Sequence, residues 1–245
     1  MFNPRPVIQQ VPLSGGGFCL VVDDFLSEPH KMVEAAVARR AAFAAAPVNC
    51  YPGIEQPMPP DFDRQLHVHF STHLLPAFHG AELLAMATRM SLVTLRPEQL
   101  MPQQRICHRD ARECQPGEGA VASVMYLFED ARMGGTSFFR PLRHPAEIDF
   151  LMHQARLMDN AAFSKVIGAE PCYFNGDGRY FEKIATVPAA WNRAIFYDAT
   201  MFHSGQIDAP QLLDADPARG RLTINTFLRY KKAGVKSDIR TRAQP

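Results

Sequence analysis

Residues 121–128 read Val121-Ala122-Ser123-Val124-Met125-Tyr126-Leu127-Phe128. The run is short and rich in β-branched and aromatic side chains, and turn residues flank it, which reads as a β-strand. Runs of the same texture lie on both sides. They are Ser91–Leu95, Gln103–Cys107, Thr136–Phe139, Arg193–Phe196 and Leu222–Tyr230. A helical pattern interrupts them over Ala146–Met158, where Ile148, Leu151, Met152, Ala155 and Leu157 recur at near-helical spacing. Farther towards the N-terminus, Val7–Leu13 and Phe18–Val22 read as short strands bounded by Gly15-Gly16-Gly17. Ser27 then reads as an N-cap with Pro29 in the first turn of a helix over 30–45, carried by Met32, Val33, Ala36 and Val37. Pro-locked turns occupy residues 51–60, and a second helix is expected near Ala81–Met90. Helices early and strands late predict an α+β chain with a mainly β core, a sandwich or barrel with flanking helices.

Composition narrows the classes. The chain has 245 residues, of which 47% are hydrophobic and 21% charged, enough apolar surface to offset the entropy of ordering. Its 26 Lys and Arg balance 25 Asp and Glu, so no global field favours nucleic acid or an anionic membrane as a partner. No apolar run is long enough to span a bilayer. The N-terminal stretch Met1-Phe2-Asn3-Pro4-Arg5-Pro6 lacks the apolar core of a signal peptide. Five cysteines are an odd number and form no Cys-x-x-Cys pair, which fits a reduced, cytoplasmic setting better than a disulfide framework. The 20 prolines are scattered singly as turn punctuation. With no repeat, charge block or linker, residues 1–245 are expected to form one domain.

Among the nine histidines, the useful ones stand beside a carboxylate at ligand spacing. His108-Arg109-Asp110 is the only His-x-Asp in the chain. Residues i and i+2 of an extended segment share a face, so His108 and Asp110 can aim at one metal ion. Two imidazoles and one carboxylate on one face of an octahedral iron leave the opposite positions open. A third ligand must come from a distant strand, and His203 offers itself at the end of an apolar run before Gly205. A rival group is Gln65-Leu66-His67-Val68-His69 with His73 nearby, whose two alternating imidazoles would share a strand face. No donor-rich strand follows it, so surface or pocket histidines are the expectation there.

Taken in order, several segments resemble the Fe(II)/2-oxoglutarate-dependent dioxygenases, near the prolyl-hydroxylase-like branch and an uncharacterised bacterial group. The segments are Val21–Leu26, His108–Asp110, Val124–Leu127, Gly134–Phe138, Trp191–Asp198, Phe202–Gly205 and Arg221–Asn225. The resemblance implies a double-stranded β-helix, or jelly-roll, of about residues 91–232. N-terminal helical support would lie at about 18–90 and a helical insertion at about 141–190. It implies Fe(II), 2-oxoglutarate and O₂ as cofactor and co-substrates, with His108, Asp110 and His203 as iron ligands. Arg221 would grip the far carboxylate of 2-oxoglutarate, and Tyr126 would add a phenol donor to the same group. The 18 residues from His203 to Arg221 exceed the usual gap, so Arg219 is a rival for the carboxylate.

The implied activity is hydroxylation of a small molecule or an amino acid side chain, with release of succinate and CO₂. Halogenating relatives give up the carboxylate ligand, and Asp110 is present here. The alternatives are a jelly-roll binding module without turnover and a cupin-like metalloenzyme independent of 2-oxoglutarate. Residues 141–190 and 51–60 are expected to border the mouth, where loops set specificity. Other residues read as structural. Cys107 alternates into the core, His144 and His153 lie in solvent, Gly134-Gly135 shapes a strand entry, and Arg193 either locks a strand or contacts ligand.

Overall fold

The fold is seen in a computed structural model that describes residues 1–45, 50–176 and 178–234. Eleven strands and four α-helices appear in chain order among these residues. The strands are β1 (Val7–Pro12), β2 (Phe18–Asp23), β3 (Ala44–Ala45), β4 (Gly53–Pro57), β5 (Gly80–Val93), β6 (Glu118–Tyr126), β7 (Thr136–Pro141), β8 (Phe181–Val187), β9 (Ala194–Asp198), β10 (Phe202–Gly205) and β11 (Arg221–Lys232). The helices are α1 (Pro29–Ala38), α2 (Pro60–His73), α3 (Pro145–Leu157) and α4 (Asn160–Ile167). An eight-stranded antiparallel sheet runs β1-β2-β9-β6-β11-β5-β4-β3, and a three-stranded sheet runs β10-β7-β8. This is the mainly β jelly-roll architecture expected, built as two facing sheets without a closed barrel.

Period-two alternation sorts the apolar side chains into layers. On the large sheet Leu20, Leu92, Val121, Met125, Phe196, Leu222 and Ile224 face one way and pack on Ala36 of α1 and on Phe62, Leu66 and Phe70 of α2. The opposite face carries Val21, Ala122, Tyr126, Ile195 and Tyr197, which meet Phe138 and Val187 of the small sheet. The outer face of the small sheet presents Phe139, Phe181 and Phe202 to Ile148 and Leu151 of α3 and to Phe163 and Ile167 of α4. Each fully buried Leu or Phe contributes roughly 1.5–3 kcal/mol. Apolar side chains fill part of the space between the sheets, and the rest is the cavity described below, lined by both polar and apolar residues.

Several local expectations give way to tertiary context. Residues 81–90 are strand, not helix. Their Ala, Leu and Met favour a helix, but the segment pairs with β11 over its whole length and with β4 over Arg89–Val93. Residues 65–69 are helix, not strand. Phe62, Leu66, His69 and Phe70 bury one face at helical spacing, and Pro60 with Asp61 and Asp63 suits a helix N-terminus. Residues 103–107 are not a strand, because Pro102–Arg105 turn as a 3-10 segment before the chain extends. The first helix ends at Ala38, and Glu28 stands at its N-cap position without a side-chain capping bond, while Ser27 donates its hydroxyl to the Phe2 carbonyl. The N-terminal region is more than helical support, since β1 to β5 all join the large sheet. Likewise the 141–190 insertion returns a strand, β8, to the small one. No described helix is long and apolar enough to cross a membrane.

His69 is buried, stacked on Phe2 and edge-on to Phe25, with the His73 ring 4.8 Å away. Burial, with the nearby His73 adding to it, pushes its pKa down to about 4. A folded-state pKa below that of the unfolded chain means that acid favours the unfolded state. Stability is therefore lost as pH falls from about 6.5 towards about 4. Thermal melts of wild type and His69→Leu between pH 7 and 4.5 should show a shallower decline of Tm in the variant. Parallel declines would remove His69 from the account.

Candidate active site

The cluster begins with a backbone bridge. The His108 N–H donates to the His203 carbonyl at 3.0 Å, and the His203 N–H returns a bond to the His108 carbonyl at 2.8 Å. The Asp110 N–H bonds the Ala199 carbonyl at 3.0 Å. The segment before β6 is thus zipped along the free edge of β10, and residues nearly a hundred positions apart lie side by side. The two imidazole centroids are 4.4 Å apart. Asp110 Oδ1 lies 3.5 Å from His108 Nε2, and Asp110 Oδ2 lies 3.4 Å from His203 Nε2. All three candidate donor atoms fall within 4.8 Å of one another. Metal–ligand bonds of about 2.1 Å place neighbouring donors of an octahedral shell about 3 Å apart, so the donor set and spacing fit one divalent ion.

Protonation suits that use. His203 Nδ1 lies 3.0 Å from the Met201 carbonyl, which can only accept, so the proton sits on Nδ1 and Nε2 keeps its lone pair towards Asp110. Burial lowers the His203 pKa to about 4, which leaves the ring neutral at pH 7. Burial of Asp110 works against its ionisation, but His203 and His108 outweigh it and hold the carboxyl below its usual range. Beneath the cluster, Cys107 is fully buried, as its alternation implied.

The cluster opens on a cavity of about 840 Å³ between the sheets. Arg221 lines the same cavity with 4% of its surface exposed. Its Nε donates to the carbonyls of Met133 and Gly134, and its Nη2 to those of Gly134 and Gly135. Among the described residues no carboxylate pairs with it. The rival, Arg219, is 66% exposed and is paired with Asp214 and Asp216. The turn they form takes up the extra length before β11.

Tyr126 is buried but does not line the cavity. Its hydroxyl is 2.8 Å from Thr136 Oγ1, and it is Thr136 that reaches the cavity wall. Tyr51 belongs to the 51–60 stretch expected at the mouth, and it lines the Arg221 end, where burial, against the opposing pull of the guanidinium, pushes its phenol up to about 12. The signal that could have found the rest of the wall is the alternation of β11, which puts Arg221, Thr223, Asn225 and Phe227 on one face. Residues of both stretches expected at the mouth line the cavity, Tyr51 and Pro52 from 51–60 and Met152, Arg156 and Tyr173 from 141–190. His67, His69 and His73 lie on α2, on the far side of the large sheet. His153 is exposed, and His144 caps α3 by accepting from the Ala146 N–H. Arg193 is structural and clamps Asp23 through two hydrogen bonds of 2.6 and 3.0 Å.

The family described as "Family of unknown function (DUF6445)" matches residues 4–228. No curated protein matches the chain. Among solved structures, the non-heme alpha ketoglutarate dependent epimerase SnoN from nogalamycin biosynthesis aligns over 93% of this chain and 86% of its own, with 14% identity and a TM-score of 0.51. The non-heme alpha ketoglutarate dependent carbocyclase SnoK from the same biosynthesis aligns over 93% and 87%, with 12% identity and a TM-score of 0.51. SnoN in complex with Fe3+, alpha ketoglutarate and nogalamycin RO gives 15% identity, 93% and 87% coverage and a TM-score of 0.50. At these identities the likeness establishes a shared fold, the one implied by the resemblance in the sequence.

The Arg221 cradle depends on glycine. Gly134 has φ +82°, and a Cβ there would fall 1.4 Å from the Gln206 carbonyl oxygen. Gly134→Ala should therefore cost about 2–3 kcal/mol and lower Tm by about 5–10 °C in a thermal melt. A Tm within about 1 °C of wild type would show that the loop carries no such constraint.

Proposed function

The chain belongs to the DUF6445 family, and from that premise we propose that it is a non-heme Fe(II)- and 2-oxoglutarate-dependent oxygenase that hydroxylates a small molecule or an amino acid side chain. His108, Asp110 and His203 are the proposed metal ligands, and Arg221 is the proposed anchor for the distal carboxylate of 2-oxoglutarate. One observation carries this reading: a buried guanidinium without a counter-ion faces the same cavity as a neutral-imidazole and carboxylate donor set. A buried charge is costly unless paired, and the carbonyls that hold Arg221 leave its positive charge without an anion. A dicarboxylate that chelates a metal at one end supplies that anion at the other.

Bound together, Fe(II) and 2-oxoglutarate supply the oxidising chemistry, reducing O₂ and oxidising a substrate C–H bond as succinate and CO₂ are released. The chain's own part is placement and protection. Met201 holds the His203 proton on Nδ1, which keeps Nε2 available as a donor. Asp110 offsets one positive charge of a divalent ion. Arg221 sets the direction of the co-substrate, and Thr136, held by Tyr126, with Tyr51 supplies polar lining near that end. Tyr126 is thus a positioning residue and not a direct contact. The His108 side chain is 53% exposed, so a substrate seated over the centre would complete the exclusion of bulk water. The cavity has room for a drug-sized substrate beside the co-substrate. SnoN is an epimerase and SnoK a carbocyclase, so the fold accommodates more than one oxidative outcome. Asp110 keeps the three-residue ligand set intact, which favours hydroxylation or another oxidation over halogenation.

Anaerobic addition of Fe(II) and 2-oxoglutarate to the purified protein should produce a weak visible absorption band. His108→Ala, Asp110→Ala and His203→Ala should each abolish it. Arg221→Ala should weaken 2-oxoglutarate binding about 100-fold, the loss expected for about 3 kcal/mol of charge-assisted hydrogen bonding. Arg219→Ala should stay within about twofold of wild type. A band that survives the ligand variants, or equal effects of the two arginine variants, would overturn the assignment.

A further inference from the structure

Four arginines line the cavity (Arg89, Arg109, Arg156 and Arg221) against two carboxylates, Asp110 and Glu55. Three of the arginines have other commitments. Arg221 serves the co-substrate under the reading above. Arg109 pairs with Asp149 at 3.4 Å and lies over the Phe202 ring. Arg156 is exposed in the last turn of α3, where a cation complements the helix dipole. The two carboxylates are also engaged, since Asp110 sits between the imidazoles and Glu55 accepts from the Ser91 hydroxyl at 3.0 Å. Arg89 is left half-buried, with no carboxylate partner among the described residues. Its guanidinium lies over the Phe227 ring, 5.6 Å from the centroid.

Strand register locates this group. Arg89 of β5 stands opposite Asn225 of β11, four residues along from Arg221. That is about 13 Å of strand, too far for a five-carbon diacid anchored on Arg221 to reach. Phe227 lies two residues farther still, so the guanidinium leans away from Arg221. Phe227 pairs in register with Ala122, and Ala122 pairs with Tyr197. The Tyr197 ring packs on His203, with centroids 4.8 Å apart. The Arg89–Phe227 pair thus stands level with the candidate metal ligands, on the side of the cavity away from the co-substrate anchor.

Resting on the oxygenase reading, we propose that Arg89 is the specificity-determining residue for the substrate, and that the substrate is a small monocarboxylate carrying no compensating cation. A guanidinium laid on an aromatic face is restrained and presents its planar N–H fork edgewise, the geometry that grips a carboxylate through two hydrogen bonds. One such cation balances one negative charge. Phe227, Ala87, Ala122 and Val124 supply an apolar wall for the rest of the molecule. No uncommitted carboxylate lines the described cavity to receive an ammonium, so a free amino acid fits worse than its N-acylated or deaminated counterpart.

The test is isothermal titration of the full chain, saturated with 2-oxoglutarate, with three probes: 3-phenylpropanoate, N-acetylphenylalanine and octanoate. Each is compared with its primary amide, and phenylalanine serves as the zwitterion. At least one carboxylate should bind at least tenfold more tightly than its amide and than phenylalanine. Arg89→Gln should erase that preference, and Arg89→Lys should restore only part of it. Circular dichroism of both variants controls for folding. Three results would each overturn the proposal: no carboxylate binds wild type, amides bind as well as acids, or Arg89→Gln keeps the preference. A separate titration of Arg221→Gln with 2-oxoglutarate isolates the underlying reading. If that affinity is intact, the co-substrate assignment fails, and the Arg89 result still stands or falls on the contrast between acid and amide.

Discussion

Two reciprocal backbone hydrogen bonds between His108 and His203 hold the candidate centre together. They join a segment that precedes β6 to the edge of the small sheet, and they do so through main-chain groups that any residues could supply. What the particular residues add is the direction of their side chains. Because the bridge aligns the two residues directly, both rings project towards one side, and the Asp110 carboxylate turns back between them. The Ala199 carbonyl fixes the turn by accepting from the N–H groups of both Asp110 and Ala111. A candidate site built on a strand and a strand-like edge inherits their rigidity, which holds the three side chains close.

The second constraint is electrostatic and lies at the other end of the cavity. Arg221 opens β11, and β11 is the central strand of the large sheet, paired on both sides. Its guanidinium is fixed by carbonyls from a turn that only glycine can form. The same strand then carries the cavity wall onward through Asn225 and Phe227. One strand therefore spans one buried guanidinium and the aromatic platform of another, with the histidine cluster on the same cavity. The spacing of the strand, and not the length of any side chain, keeps these two positive groups apart.

Much of the fold was readable in local pattern. The strands at 121–128, 136–139, 193–196 and 222–230 alternate clearly and appear close to where they were placed. The helix near Ala81–Met90 was misread because its residues favour a helix in isolation, while two neighbouring strands supply hydrogen bonds that outweigh the preference. The 65–69 segment erred in the other direction, since His-x-His mimics alternation over five residues and only the longer window, 62–70, shows the helical face. The 103–107 segment contains no proline itself, but Pro102 just before it turns the chain.

At the site, the sequence by itself determined the donor chemistry: a His-x-Asp, a later histidine before a glycine, and an arginine opening the next strand are legible as residue types in order. It also determined the alternation that puts every second residue of a strand on one face. Tertiary structure alone decided which of two arginines is buried, because burial depends on the turn at 214–220 and not on spacing. It likewise set Tyr126 behind Thr136 and brought Arg89 to the cavity, since these lie on strands whose neighbours are chosen by sheet topology. Local sequence specifies what a side chain can do. Which side chains meet depends on long-range pairing, whose hydrogen bonds link residues far apart in the chain.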